Sequence, residues 1–191
     1  LILDIFASRP DPWRPEGVAP GELMAVFAGA HGVANGLDAV IAAGEVLWQR
    51  GRRDIRIVLV GEGQVKLRLR AQVETAGLGN VLFLDPVPKS RLAGLMAATD
   101  VGLQVLANVP AFYSGTSPNK FFDYLAAGRA VLINYPGWLA ELVSSARCGF
   151  AVRPDDPAAF ADALEQAADD RSELSAMGQR ARALAGSRFD R

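Results

Sequence analysis

From Leu23 onward the chain alternates short apolar runs with stretches of helical periodicity. Leu23–Phe27, Ile55–Val60, Val81–Leu84, Val101–Val105, Ala130–Ile133 and the shorter Phe150–Val152 read as strands, the longer ones buried on both faces. Between them apolar residues recur every three or four positions. Leu37, Val40, Ile41, Gly44, Leu47 and Trp48 mark a first helix ended by Gly51, and a second runs roughly Val65–Ala76 to a stop at Gly77. Leu92, Leu95 and Met96 carry a third, Asn119–Ala127 is a short fourth stopped by Gly128, and Leu139, Leu142 and Val143 mark a fifth. Asp156-Pro157 caps a sixth, and Asp170 with Glu173 gives a seventh a capping-box-like start. Strands alternating with helices predict an α/β fold, a doubly wound, six-stranded parallel Rossmann-like sheet over residues 23–191. Residues 1–22 carry Pro10, Pro12, Pro15 and Pro20 and read as an interdomain linker outside the core.

In such sheets ligands bind beyond the carboxyl ends of the strands. That singles out five connections: Ala28–Asn35, Gly61–Gln64, Asp85–Pro88, Leu106–Ser117 and Asn134–Gly137. The stretch from Ser114 to Tyr135 organises them. A small-residue loop, Ser114-Gly115-Thr116-Ser117, leads into a helix with Ser117 as N-cap and Pro118 at its first position. Free N–H groups at such a helix start attract an anion. Lys120 lies in that first turn, and Asp123 follows on the same face. A cation for phosphate beside a carboxylate for a ribose diol suits a nucleotide. A capped core helix with two solvated charges is the equally open alternative.

Composition narrows the field. Half of the 191 residues are hydrophobic and the net charge is −1, so a packed core is expected and no general attraction to nucleic acid. No apolar run approaches the roughly 20 residues that span a bilayer. A lone Cys148 excludes an intramolecular disulfide framework and fits a reducing, cytoplasmic compartment. All but three of the 20 cationic residues are arginine; the exceptions are Lys66, Lys89 and Lys120, each at or just past a carboxyl-end connection.

The first connection, Gly29-Ala30-His31-Gly32-Val33-Ala34-Asn35-Gly36, is rich enough in glycine for a phosphate to approach the backbone. It lacks the dinucleotide spacing, since His31 and Ala34 stand where glycines would be, and no Gly-Lys-Ser/Thr makes it a P-loop. Gly61-Glu62-Gly63 fails the same pattern, with Lys66 in the third glycine's place, which disfavours a dinucleotide oxidoreductase. His31 reads either as a solvated loop residue or as a phosphate or sugar contact. The pairs Asp155-Asp156 and Asp169-Asp170 precede helices, where capping explains them better than metal binding. Trp138 reads as a packing residue, with a stacking platform as the alternative.

From Val26 to Arg191 the chain resembles the C-terminal, donor-binding domain of retaining GT-B glycosyltransferases of family four, nearest to the bacterial surface-polysaccharide branch. The similar segments are FAGAHGVANGLDAV (27–40), VLVGEGQVKLRL (58–69), NVLFLDPVPKSRL (80–92), TDVGL (99–103) and SPNKFFDYLAAGRAVLIN (117–134). The resemblance implies a nucleotide-sugar donor, most often a UDP-sugar, and transfer to a polysaccharide or lipid-linked acceptor without metal or other cofactor. The family's ribose-holding glutamate falls on Asp123. Its partner glutamate falls on Gly115, and the first-loop arginine and lysine that hold the diphosphate fall on Ala30 and Asn35. Lys66 and Lys120, with His31 and the N–H groups at 115–118, are then expected to stabilise the diphosphate leaving group. The implied donor contacts are Gly29, His31 and Gly32 after the first strand, Gly61 and Gly63 after the second, and Pro86 and Val87 after the third. After the fourth come Gly115, Thr116, Ser117, Pro118, Asn119 and Asp123. The family's acceptor-binding N-terminal domain has no counterpart in these residues. The chain by itself is therefore expected to bind donor without transferring sugar, and any contact with the inner membrane face to come through the missing half. A non-catalytic nucleotide-binding module remains an alternative.

Overall fold

The computed structural model describes residues 10–115 and 118–188. Six parallel strands form one sheet in the order β3-β2-β1-β4-β5-β6. In chain order the elements are β1 (Leu23–Ala28), α1 (Asp38–Gln49), β2 (Ile55–Val60), α2 (Lys66–Thr75), β3 (Val81–Leu84), α3 (Lys89–Ala98) and β4 (Val101–Gln104). There follow α4 (Pro110–Gly115), α5 (Asn119–Ala126), β5 (Ala130–Ile133), α6 (Trp138–Ala146), β6 (Gly149–Ala151), α7 (Pro157–Asp169) and α8 (Arg171–Arg188). The six strands lie where the apolar runs place them, within a residue at each end. α4 is the addition: six residues of the fourth connection coil into a short helix, so Ser114 and Gly115 end a helix rather than open a loop. A 3-10 turn at Val33–Asn35 is the other.

Strand parity divides the interior. Leu23, Ala25 and Phe27 of β1 join α1, α2 and α7 in one core, while Met24 and Val26 face the other way into a second core with α3, α5 and α6. β5 splits likewise, Ala130 and Leu132 to one side and Val131 and Ile133 to the other. This is the period of two that sends successive side chains to opposite faces, and it explains why the strands carry no polar alternation. α8 contributes to both cores, through Leu174 and Met177 on one side and Ala181 and Ala185 on the other.

Two helix starts differ from expectation. α5 begins at Asn119 as expected, but Pro118 occupies the N-cap position instead of the first helical one, while Ser117 lies outside the described residues. The start of α8 is half a capping box. Asp170 accepts from the Glu173 N–H (3.0 Å), but the Asp170 N–H is already bound to the Gln166 carbonyl and the Glu173 carboxylate turns to Arg180. Asp156 caps α7 as expected, accepting from Ala159 N–H at 3.0 Å.

Residues 10–22 are docked on the domain instead of running free. The Trp13 indole donates to the Arg91 carbonyl (2.6 Å) beneath the Arg91 guanidinium, Arg14 pairs with Asp100 (3.2 Å), and Val18 is buried in the second core. Gly94 of α3 is required there, because a Cβ would lie 2.4 Å from the Asp11 carbonyl oxygen. Residues 1–9 of the expected linker lie outside the described residues.

α5 is fixed to the sheet by Tyr124, fully buried, whose hydroxyl is within 3.2 Å of the Val26 carbonyl and 3.1 Å of that of Leu103. Gly102 of β4 makes room for the ring: a Cβ there would come within 2.3 Å of it. Gly128 (φ +68°) then closes the helix, its N–H bonding Leu125 while that of Arg129 bonds Tyr124, the paired pattern of a Schellman end. Gly102→Ala should therefore overpack the α5 contact and lower stability by about 1–3 kcal/mol. Urea unfolding measures this, and an unchanged midpoint would mean that the ring has room to spare.

Candidate functional site

The strand order reverses between β1 and β4, the switch point at which doubly wound sheets bind ligands. The connections after β1 and β2 are laid against each other there. Gly29 N–H bonds the Val60 carbonyl (3.0 Å), His31 N–H that of Glu62 (2.9 Å), and Val65 N–H that of His31 (3.0 Å). Glycine is needed for this approach. A Cβ on Gly61 (φ +145°) would sit 1.9 Å from the Gly29 oxygen, and one on Gly63 would sit 2.5 Å from the His31 carbonyl. On its other side the first connection meets the fourth, where Gly36 abuts the backbone of Ala107. Its backbone is thus held from two directions.

Beside it opens a cleft of about 380 Å³ lined by Gly29, Gly61, Glu62, Pro86, Val87 and Leu92, among others. Lys120 of α5 stands beside its Gly29 wall. Its ammonium stands 4.8 Å over the Phe27 ring, and its Nζ lies 3.3 Å from the point where a Gly29 Cβ would be. A side chain at 29 would crowd it, the Lys120 Cε lying 3.0 Å from the same point. Burial lowers the Lys120 pKa, opposed by the charge of Asp123; burial raises that of half-buried Asp123, opposed by Lys120 and Lys89. Each is thus poised to gain from a ligand that stabilises its charged form.

The other expected contacts separate into groups. Gly29, Gly61, Pro86 and Val87 share the cleft with Lys120 at its side. Gly32 is half-buried at the start of the 3-10 turn, while Gly115 and Asn119 are exposed and Pro118 is half-buried, all at the approach to α5. Thr116 and Ser117 lie outside the described residues. The role of Gly63 is the loop contact itself.

His31 and Lys66 depart from expectation. His31 is fully buried between Phe27 and Phe83, its ring centroid 6.2 and 6.1 Å from theirs, so it is neither solvated nor presented to a ligand. Neither ring nitrogen has a hydrogen-bond partner of normal geometry among the described residues. Burial, then the charge of Lys66, holds its pKa below 6.5 and keeps it neutral. Lys66 is also buried, and its ammonium faces four oxygens: the Gly61 carbonyl (2.7 Å), Asp85 (2.8 Å), Glu62 (3.2 Å) and the Leu84 carbonyl (3.4 Å). Burial alone would lower its pKa, but the hydrogen bonds to Asp85 and Glu62 outweigh it and raise it. Three ammonium protons are thereby taken. Lys66 ties the second connection to the third.

The two neutral replacements in the first connection act on each other. Asn35 donates to the Ala30 carbonyl (2.6 Å), closing the loop across the positions where the resemblance puts a lysine and an arginine. No pattern in the sequence signals this clasp. The Glu62–Lys66 pair, by contrast, has the four-residue spacing of a helical ion pair and was open to reading. Trp138, expected to pack, is 56% exposed at the start of α6.

Fold and cleft together define an α/β domain of the doubly wound class with a cleft at its switch point. The model of the glycosyl transferases group 1 family matches residues 22–170, and the chain belongs to that family. It is 35% identical over 172 residues to a D-inositol 3-phosphate glycosyltransferase of Nocardia farcinica, covering 86% of this chain and 37% of the relative. To one of Paenarthrobacter aurescens it is 29% identical over 169 residues, covering 85% and 40%. The chain thus spans about two fifths of the curated relatives it matches. Among solved structures, the C-terminal domain of the group 1 glycosyl transferase LpcC of Francisella tularensis superposes with a TM-score of 0.71 at 17% identity, covering 99% of this chain and 93% of that one. Anabaena HepE, solved with UDP-glucose, gives 0.76 at 18%, covering 98% and 51%. The fold is that of the C-terminal half of a GT-B glycosyltransferase.

The neutral, buried His31 has a consequence for stability. A histidine whose pKa is depressed in the folded state contributes stability present above the unfolded value, 6.5, and lost as pH falls through the lower folded value. Unfolding free energy should therefore fall more steeply below pH 6.5 in the wild type than in His31→Phe, by up to about 1.4 kcal/mol per pH unit for one proton. Parallel curves in chemical denaturation would show that His31 charges freely in the fold.

Proposed function

We propose that this domain binds the nucleoside-diphosphate sugar donor of a glycosyl transfer, with the ring-supported Lys120 ammonium on the diphosphate and Asp123 on the ribose diol. One observation carries the reading: half-buried Lys120, with half-buried Asp123 three residues further along the same helix, stands against Gly29 of a glycine-lined cleft at the strand-order switch point. The half-buried backbone at Gly32 is available to phosphate oxygens, and Pro86 and Val87 offer an apolar wall for a base. UDP is the nucleotide to test first, because the similar HepE was solved with UDP-glucose.

Lys120 then acts on the leaving group. As the bond from sugar to diphosphate breaks, negative charge grows on the β-phosphate, and an ammonium fixed beside it in a partly desolvated cleft stabilises that charge without reorganising. With the ammonium of Lys66 taken up by four oxygens, we assign it the task of holding the walls of the cleft, not of touching the diphosphate. This revises the expectation that both lysines carry the charge.

The acceptor belongs to a domain facing this edge. Val33, Leu67, Val109 and Trp138 are the exposed large hydrophobic residues of the described chain, and all follow the carboxyl ends of strands. Such residues gathered on one edge favour a covering partner. For the acceptor itself, the curated relatives' names make a phosphorylated inositol worth testing beside polysaccharide and lipid-linked sugars. A chain without that partner should bind donor and transfer nothing, because acceptor orientation is a large part of the rate.

Calorimetry with UDP and uridine separates the roles. Asp123→Ala should weaken UDP about ten- to hundredfold, the worth of one or two charge-assisted hydrogen bonds. Lys120→Ala should weaken UDP far more than uridine, whereas Lys66→Ala should weaken both alike and lower the unfolding midpoint. Unchanged UDP affinity in folded Asp123→Ala and Lys120→Ala proteins would place the nucleotide elsewhere.

A further inference from the structure

At the opposite edge of the sheet, where β4 and β5 begin, α5 and α8 enclose a second cavity of about 390 Å³. Its walls include Arg129, Arg171, Arg182, Asp100, Ser175 and Gln179. Three guanidinium groups therefore face one carboxylate, and that carboxylate is already engaged. Asp100 receives Arg14 (3.2 Å) and the Met24 N–H (2.8 Å) on one oxygen and Arg171 (3.1 Å) on the other. No carboxylate lies within ion-pair distance of Arg129 or Arg182 among the described residues. Arg129 donates to the Ala97 carbonyl (2.7 Å), but its buried Nε has no partner among the described residues. The positive charge left on this wall attracts an anion.

The cavity is built into the fold. Gly178 of α8 lies against the Gly128 carbonyl, where a Cβ would be 2.4 Å away, so the helices meet on glycine and the arginines flank the junction. The Tyr124 and Leu125 carbonyls at the end of α5 are closed by the Schellman bonds and so are turned to their own chain. α8 places Leu174 and Ser175 on the wall. The Ser175 hydroxyl and the Gln179 amide are neutral donors to complete a shell of oxygens.

We infer that this cavity is a binding site for a compact phosphate group, carried by a small phosphate monoester. Forked guanidinium groups match a tetrahedral dianion through paired N–H bonds, which a carboxylate with two oxygens uses less fully. The volume is that of a small-metabolite site, at the lower end of the roughly 300–1,000 Å³ typical of ligand pockets. The site is separate from the donor cleft, since β4 and β5 run between the two edges. α5 also joins them: it carries Lys120 and Asp123 at its start and leads to Ala127–Arg129 at its end.

The test is calorimetric titration of the protein with inorganic phosphate and with glycerol 3-phosphate, at constant ionic strength set by chloride. Saturable binding is expected in the wild type and in Lys120→Ala, which disables the diphosphate site. Arg182→Gln, an exposed substitution, should weaken it at least about tenfold, as should Arg129→Gln if that variant folds. Co-sedimentation with phosphatidylcholine vesicles, with and without phosphatidic acid, identifies the source. Arg182-dependent capture by phosphatidic acid makes the ligand a lipid headgroup, and binding of the soluble probes alone makes it a free ester. Absence of saturable binding above chloride, or binding lost in Lys120→Ala and kept in Arg182→Gln, would overturn the site.

Discussion

The seating of Tyr124 on Gly102 is the contact on which the rest depends. It brings a helix onto the sheet beside the switch point, and that helix carries both charged side chains of the proposed nucleotide site. The ring is admitted only because β4 has no side chain at Gly102, and its hydroxyl is secured by carbonyls of β1 and β4, the two strands between which the order reverses. Lys120, four residues before Tyr124, is thereby carried over Phe27 and against Gly29. A shift of the helix would lose the support of the ring and the clearance at the glycine together.

The connections opposite obey a different constraint, close packing of backbone on backbone. Gly61 and Gly63 let the second connection lie against Gly29 and His31, and Lys66 then ties it to the third through Asp85 and the Leu84 carbonyl. Asn35 closes the first connection on Ala30. The result is a cleft whose wall is close-packed main chain and whose cation comes from a helix on another connection. This division suits the proposed diphosphate, for which one ammonium would meet the charge that develops. It also gives the two lysines opposite tasks, although they stand at equivalent places in the strand-helix pattern.

Much of this was legible in the sequence. The central strands are largely apolar because both of their faces are covered, and the helices between them announce their ends with Gly51, Gly77 and Gly128. Parallel order follows from strand-helix alternation, and the site's edge follows from parallel order. The proposal of Asp123 and Lys120 starts from helical spacing beside a helix start, and the block SPNKFFDYLAAGRAVLIN carried the family.

What the tertiary structure alone decided is the environment of each polar group. His31 sits in a glycine-rich loop, as a surface residue would, yet two phenylalanines from β1 and β3 close over it, and they are 56 residues apart in sequence. Lys66 looks like a free cation until four oxygens from two connections meet it. Proline-rich residues 10–22 read as a tether, but Trp13 and Arg14 find partners on α3 and at Asp100. Periodicity reports which face of an element is apolar, so it fixes strands, helices and the edge where ligands bind. It says nothing of which distant backbone oxygen or ring will lie beside a given side chain, and that neighbour determines whether a charge is held for the fold or left for a ligand.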